Sequence, residues 1–244
     1  CRSSAASDVY KRQAFLITNL REGRSVVNVK RRDLLLAMGA AMVGIPGVSA
    51  AQTLLSTPRQ TAGPFYPLEL PLDDDNDLTV VQGHDARAQG QITDLGGRIL
   101  DINGRPLSKL RIEIWQCDVN GRYRHPYERG SQPMDENFQG HGHTITNELG
   151  GYRFRTIRPV PYPGRTPHIH VAVFPENEKP FVTQLYVRDD PRNQDDFLFN
   201  HVPSERRHLV TADFMESGQE DGSLEARFDI IIDRHNGTPM DGAA

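Results

Sequence analysis

Apolar and polar residues alternate at period two through much of this chain. The pattern runs through residues 90–95, 97–101, 111–116, 152–157, 168–173, 181–187 and 226–232, and it predicts β-strands. Asn103-Gly104 and Asn120-Gly121 supply turn signals between them,. No stretch reads as a long amphipathic helix, and one short helix is expected over residues 205–215. Short strands with regular turns predict an all-β fold, an antiparallel β-sandwich with long active-site loops and little helix. The loops expected to carry function are residues 124–144 and 158–167, because structureless segments of that length in a compact domain are usually functional.

The first part of the chain follows different rules. Ser3-Ser4-Ala5-Ala6-Ser7-Asp8-Val9-Tyr10-Lys11-Arg12-Gln13 resembles a translated sequencing adapter, so residues 1–25 are expected to be a sequencing or read-through artefact. Lys30-Arg31-Arg32 is a basic region, residues 34–48 are apolar, and Val48-Ser49-Ala50 fits signal peptidase. Residues 26–51 therefore read as a signal peptide. The apolar run is shorter than the roughly 20 residues a membrane span needs, and Arg31-Arg32-Asp33-Leu34-Leu35 fits the twin-arginine pattern,. The expected location is periplasmic or secreted, and residues 52–244 are the folded domain.

Setting the leader aside changes the charge balance. Of 28 Lys+Arg and 32 Asp+Glu, 8 and 3 lie in residues 1–50, which leaves 20 basic and 29 acidic residues and a formal charge of −9. An acidic body argues against nucleic acid or an anionic membrane as partner. Cys117 is the one cysteine outside the artefact segment, so no internal disulfide is expected, and its apolar strand predicts a core residue.

The candidate chemistry is concentrated in tyrosine and histidine. His168 and His170 sit at i and i+2 of a predicted strand, so both side chains share one face. His-x-His alone more often means core or surface histidines than a metal site. Tyr162 lies between Pro161 and Pro163 in a rigid extended loop,. Phenolate oxygen and imidazole nitrogen together suit ferric iron.

Several motifs in order raise the expectation. Gly97-Arg98-Ile99-Leu100-Asp101-Ile102-Asn103-Gly104-Arg105-Pro106-Leu107, Ile112-Glu113-Ile114-Trp115-Gln116-Cys117-Asp118 and Gly121-Arg122-Tyr123 resemble the signature of intradiol ring-cleavage dioxygenases. Gly150-Gly151-Tyr152-Arg153-Phe154-Arg155-Thr156-Ile157, Pro161-Tyr162-Pro163, Thr183-Gln184-Leu185-Tyr186 and Arg227-Phe228-Asp229-Ile230 continue the resemblance, which is nearest the protocatechuate 3,4-dioxygenase branch. It covers nearly all of residues 57–235. It implies that residues 52–244 form a catalytic β-sandwich binding one Fe(III) per chain. Tyr123 and His168 would be equatorial ligands, and Tyr162 and His170 axial. Arg165 and Gln184 would face the substrate, and Tyr66 would line its pocket. The implied activity is cleavage of a catechol-type ring by O2 between its hydroxylated carbons, giving a muconate-type diacid. An oligomer is possible.

One departure bears on substrate. Tyr162 and His168 are six positions apart, where the well-known branches have a longer pocket-shaping loop. Which catechol is cleaved is left open. Gly140-His141-Gly142-His143 is a second His-x-His; its glycines predict a flexible loop, and contact with substrate or the site's surroundings is more plausible than ligation. His125 could touch the pocket. Asp73-Asp74-Asp75-Asn76-Asp77 lacks the glycine and glutamate of a calcium loop, and reads as a solvated acidic loop. His84, His201, His208 and His235 read as surface or structural. Two other readings stay open: a ferrous oxygenase using His168, His170 and a carboxylate, and a non-catalytic sandwich that binds carbohydrate or protein.

Overall fold

The computed structural model describes residues 53–234 except 71, 72 and 74. The leader, the artefact segment and His235 lie outside the described residues.

The alternating segments, joined by short strands at 141–145, 211–212 and 214–216, form two five-stranded sheets. The first holds β1 (Ile92–Asp101), β4 (Gly151–Ile157), β8 (Phe214–Glu216), β9 (Leu224–Arg227) and β10 (Ile230–Ile232). The second runs β3-β2-β5-β6-β7, from β2 (Arg111–Trp115), β3 (His141–Ile145), β5 (His168–Phe174), β6 (Phe181–Val187) and β7 (Thr211–Ala212). Their facing sides make one apolar core. Leu95, Ile99, Phe154 and Ile230 of the first sheet join Ile112, Ile114, Ile169, Val171 and Leu185 of the second. The all-β sandwich is thus observed, with a single five-residue α-helix, α1 (Phe197–His201), among the described residues.

Strand pairing is mixed where antiparallel pairing was expected. β1 pairs with β4 antiparallel but with β9 and β10 parallel, and β6 pairs with β7 parallel. Parallel partners require a crossover, and here the chain traverses the second sheet before returning beside β1. Residues 226–232 are two strands because the chain steps at Phe228-Asp229. Phe228 N donates to Gly96 O at 2.9 Å, and Asp229 Oδ1 accepts from Arg98 N at 2.9 Å. A Cβ on Gly97 would lie 1.9 Å from Phe228 O, so only glycine admits this approach.

Two further expectations are corrected. Residues 205–215 form no α-helix; a 3-10 turn (Ser204–Leu209) gives way to β7 and β8. Val210 and Ala212 are buried at strand spacing, and Val210 O accepts from Tyr186 N at 2.8 Å, so pairing with β6 overrides helix propensity. The stretch from Gly140 to His143 is not a flexible loop, since His141–Ile145 is β3, paired with β2. Its glycine has a packing reason: a Cβ on Gly142 would meet Asp75 O at 2.3 Å. Asp75 and Asp77 use their carboxylates on Asp77 N and Thr79 N within that acidic loop.

Candidate metal centre

The second sheet has an outer face, and its register assembles the site. Cα partners in neighbouring strands project to the same side. His141 pairs with Trp115, Trp115 with His170, and His170 with Gln184. One transverse row therefore reads His141, Trp115, His170, Gln184. His168 pairs with Tyr186 in a neighbouring row. Irregular segments cover this face. Residues 57–66 cross it, with Gln60 N bonded to Val182 O at 2.9 Å and Gln184 Nε2 donating to Thr61 O at 3.0 Å. Gly63 sits over a ring, since a Cβ there would come 3.3 Å from His170 Cε1.

Tyr123, Tyr162, His168 and His170 converge. The two Nε2 atoms face each other at 3.2 Å. The Tyr123 and Tyr162 rings meet edge to face at 5.4 Å, Tyr162 lies 5.4 Å from the His168 ring, and Tyr123 lies 6.2 Å from the His170 ring. Tyr123 arrives on the turn after β2, where Gly121 has φ +74° and a Cβ would press on Pro161 O at 3.2 Å. Tyr162 is held in a short bridge with Arg165. Trp115 lies flat on His170, centroids 4.9 Å apart and planes within 5°.

The electrostatics leave this cluster without positive or negative charge of its own. Burial, followed by the Arg165 cation, pushes His168 down to about 3. Burial and then His168 push His170 well down. His168 Nδ1 lies 2.7 Å from Thr166 O; a carbonyl only accepts, so Nδ1 holds the proton and Nε2 presents its lone pair. Burial drives the Tyr123 phenol well above its ordinary value. It also raises Tyr162, with Arg165 opposing. The Tyr123 hydroxyl is buried beside the Tyr162 phenol, close enough for a weak interaction but with no partner at ordinary hydrogen-bond geometry. His168 Nε2 thus accepts from His170 Nε2 within this cluster. Two neutral imidazoles beside phenols that burial keeps protonated make a donor set that a cation would complete, because a cation favours the phenolate that burial disfavours and turns both Nε2 lone pairs toward itself. Phenolate with imidazole fits ferric iron. Among the described residues, no group of three His, Cys, Asp or Glu side chains could share a metal, so no carboxylate completes a facial triad with His168 and His170.

Arg165 and Gln184 stand beside the cluster. Arg165 Nη1 donates to the Tyr162 hydroxyl at 3.3 Å, its Nη2 to Gln184 Oε1 at 2.6 Å, and its Nε to Asp196 Oδ2 at 2.8 Å. Tyr66 is placed behind this arrangement. Its hydroxyl donates to Glu113 Oε2 at 2.8 Å and its ring stands edge-on to Trp115. Burial alone would raise Glu113, but hydrogen bonds from His141, Arg111 and Tyr66 outweigh it and hold the carboxyl at about 2. His141 is thereby a partner of Glu113, and it sits two strands from His170, roughly 10 Å at the spacing of a sheet. His125 is buried, takes Tyr127 N on its Nδ1 at 3.1 Å, and meets the edge of Phe65. Cys117 is a core thiol, pushed up to about 12 mainly by burial.

Phe65, Trp115, Glu113 and Asp196 were not singled out as functional from the sequence. Phe65 stacks on Tyr123 at 4.6 Å and is edge-on to Tyr162 at 6.2 Å. Its signal was adjacency to Tyr66 in Gly-Pro-Phe-Tyr. Asp196 had the signal of an aspartate just before an apolar helical turn, Phe197-Leu198-Phe199,.

A family model described as Dioxygenase matches residues 61–234. The protocatechuate 3,4-dioxygenase beta chain of Burkholderia cepacia is 34% identical over 176 residues, covering 68% of this chain and 75% of that one. Hydroxyquinol 1,2-dioxygenase of Corynebacterium glutamicum is 28% identical over 236 residues, covering 85% and 74%. Among solved structures, the dioxygenase domain of a dioxygenase–carbohydrate-binding fusion from Streptomyces sp. SirexAA-E aligns with TM-score 0.58 at 28% identity, covering 73% of this chain and 99% of that one. Catechol 1,2-dioxygenase from Acinetobacter sp. ADP1 aligns with TM-score 0.55 at 27% identity, covering 73% and 63%.

Proposed function

This chain belongs to the intradiol ring-cleavage dioxygenase family, and from that premise we propose that it opens a catechol-type ring between the two hydroxylated carbons with O2, yielding a muconate-type diacid. Tyr123, Tyr162, His168 and His170 would hold one Fe(III). The observation that carries this reading is the meeting of the two imidazole Nε2 atoms, 3.2 Å apart, with a buried Tyr123 hydroxyl whose polar neighbour is the Tyr162 phenol, another of the four.

Ferric iron bound there would supply Lewis acidity and a chelation point for both catechol oxygens, and would draw electron density so that the ring can react with O2. The remaining work falls to side chains. Tyr162 is less buried than Tyr123 and touches Arg165, so its oxygen is the one suited to take a catechol proton as substrate binds. Arg165 stabilises negative charge that develops on the ring oxygens. Gln184 holds the guanidinium from the other side. His168 keeps its proton on Nδ1, bound to Thr166 O, and so remains a lone-pair donor throughout. Residues 61–66, with Phe65 on Tyr123, shield the cluster from bulk water.

The test is a panel of catechols scored by oxygen uptake and product mass. Opening between the hydroxyls supports the reading; opening beside them overturns it. The leader motif extends the proposal to twin-arginine export, checked by whether residues 26–51 carry a folded reporter to the periplasm and whether Arg31-Arg32→Lys-Lys stops it.

A further inference from the structure

The six-position step from Tyr162 to His168 poses a problem that the neighbouring elements resolve. Pro163 and Gly164 are exposed, and a Cβ on Gly164 would meet nothing within 4 Å. The short loop packs on little at its tip, and its internal tie is Arg165 N to Tyr162 O at 2.9 Å. An arginine on such a loop has many rotamers to choose from.

The order comes from the connection before α1. The Asp196 side chain is fully buried. Its Oδ2 accepts from Arg165 Nε at 2.8 Å and from Thr166 N at 2.9 Å, while Oδ1 caps α1 by accepting from Phe199 N at 2.8 Å. Thr166 Oγ donates to Asn193 Oδ1 at 2.8 Å. The same Thr166 offers its carbonyl to His168 Nδ1 at 2.7 Å. One carboxylate therefore grips two consecutive residues: the arginine beside the ligands, and the threonine that fixes a histidine tautomer.

We propose that Asp196 is the positioning residue of this site, setting the plane of the Arg165 guanidinium and, through the Thr166 turn, the ring of His168. This rests on the reading of Arg165 as the cation facing substrate. The guanidinium is a rigid planar fork, so anchoring Nε fixes where Nη1 and Nη2 lie, toward Tyr162 and Gln184. A charge-assisted hydrogen bond to a water-excluded carboxylate is short and directional. Asp196 makes no hydrogen bond to the four candidate ligands; its contacts reach them through Arg165 and Thr166, beside a minor direct field at His168. In this chain the anchoring that a longer loop could supply by its own packing is provided from the element after β6.

Asp196→Asn tests this, because asparagine keeps the volume and the cap for Phe199 while removing the charge and replacing the Oδ2 that accepts from Arg165 Nε and Thr166 N with an NH2 that cannot accept,. Asp196→Glu and Arg165→Lys complete the set. In NMR spectra of isotope-labelled apo protein, wild type is expected to show a slowly exchanging arginine Nε–H that vanishes in Arg165→Lys and in Asp196→Asn. Asp196→Asn should hold iron more weakly than wild type and shift its visible band, because Thr166, whose carbonyl orients His168, loses the acceptor of its N–H,. Its kcat should fall about 10- to 100-fold, the range for residues that orient others in a metal site, with little change in KM. Asp196→Glu should recover part of the loss, and Asp196→Asn added to Arg165→Lys should lower kcat by less than the product of the two single effects, the remainder being the part carried through Thr166. The proposal is overturned if the protected Nε–H persists in Asp196→Asn, or if that variant merely melts earlier while turning over like wild type below its Tm. Should wild type cleave no catechol, the functional reading fails, and the arginine spectra still decide the Asp196–Arg165 contact.

Discussion

The two faces of β5 are equally dry and chemically opposite. Ile169 and Val171 point into the sandwich at 0% and 1% exposure; His168 and His170 point the other way at 1% each. The inner residues meet another sheet, and their contacts are apolar and interchangeable in kind. The outer residues meet irregular chain: residues 57–66, the turn bearing Tyr123, and the loop bearing Tyr162 and Arg165. Irregular chain brings polar atoms, which in a buried setting must be matched one by one. Gln184 is an example, since it is fully buried yet bonded to Arg165, Tyr186 and Thr61. A sheet face covered by another sheet stores stability, whereas a sheet face covered by loops can store chemistry.

This contrast is broken most sharply at the ligands. His170→Ala should abolish retention of iron after desalting and, with it, ring cleavage, while the melting curve of the apo protein changes little. Metal analysis beside an oxygen electrode reads both. Tyr162→Phe comes next. It should keep part of the colour, because Tyr123 remains, and lose about 10²- to 10⁴-fold in turnover, the usual worth of a positioned proton acceptor. Wild-type turnover would remove Tyr162 from the mechanism. On the inner face the pattern inverts. Ile169→Ala should cost about 2–5 kcal/mol in denaturant unfolding and leave the visible band per folded molecule unchanged.

The smallest effect concerns Glu113. Its folded carboxyl sits at about 2 against an ordinary 4.5. A depressed carboxylate contributes stability that is complete above its unfolded value and is lost as pH falls through the folded one. Wild type should therefore weaken between about pH 4.5 and 2. Glu113→Gln should be less stable at neutral pH and flatter across that window, as urea midpoints at stepped pH would report.

What the sequence makes legible follows from these two faces. Period-two alternation exposes the strands, because most inward residues are apolar to pack against a sheet, with buried threonines such as Thr183 among them. The same alternation hides that the polar face is buried too, since cover by loops leaves no periodic trace. The candidate ligands were readable through motif order, and the register of β5 on β2 and β6 explains why His170 meets Trp115 and Gln184. The parallel pairing of β9 and β10 was not readable, being fixed by a crossover and not by local pattern. Nor was β3, whose Gly142 answers a close approach by Asp75 and whose His141 is taken by Glu113. Asp196 escaped because its partner Arg165 is 31 positions away.

The central claim is a ferric site with two phenolate ligands on the outer face of the second sheet. Titrating purified protein with Fe(III) while recording the visible spectrum tests it most directly. The account predicts saturation at one equivalent with a red-brown tyrosinate-to-iron band that weakens in both Tyr123→Phe and Tyr162→Phe. Stoichiometric iron bound tightly with no visible band, or a band indifferent to both substitutions, would contradict it.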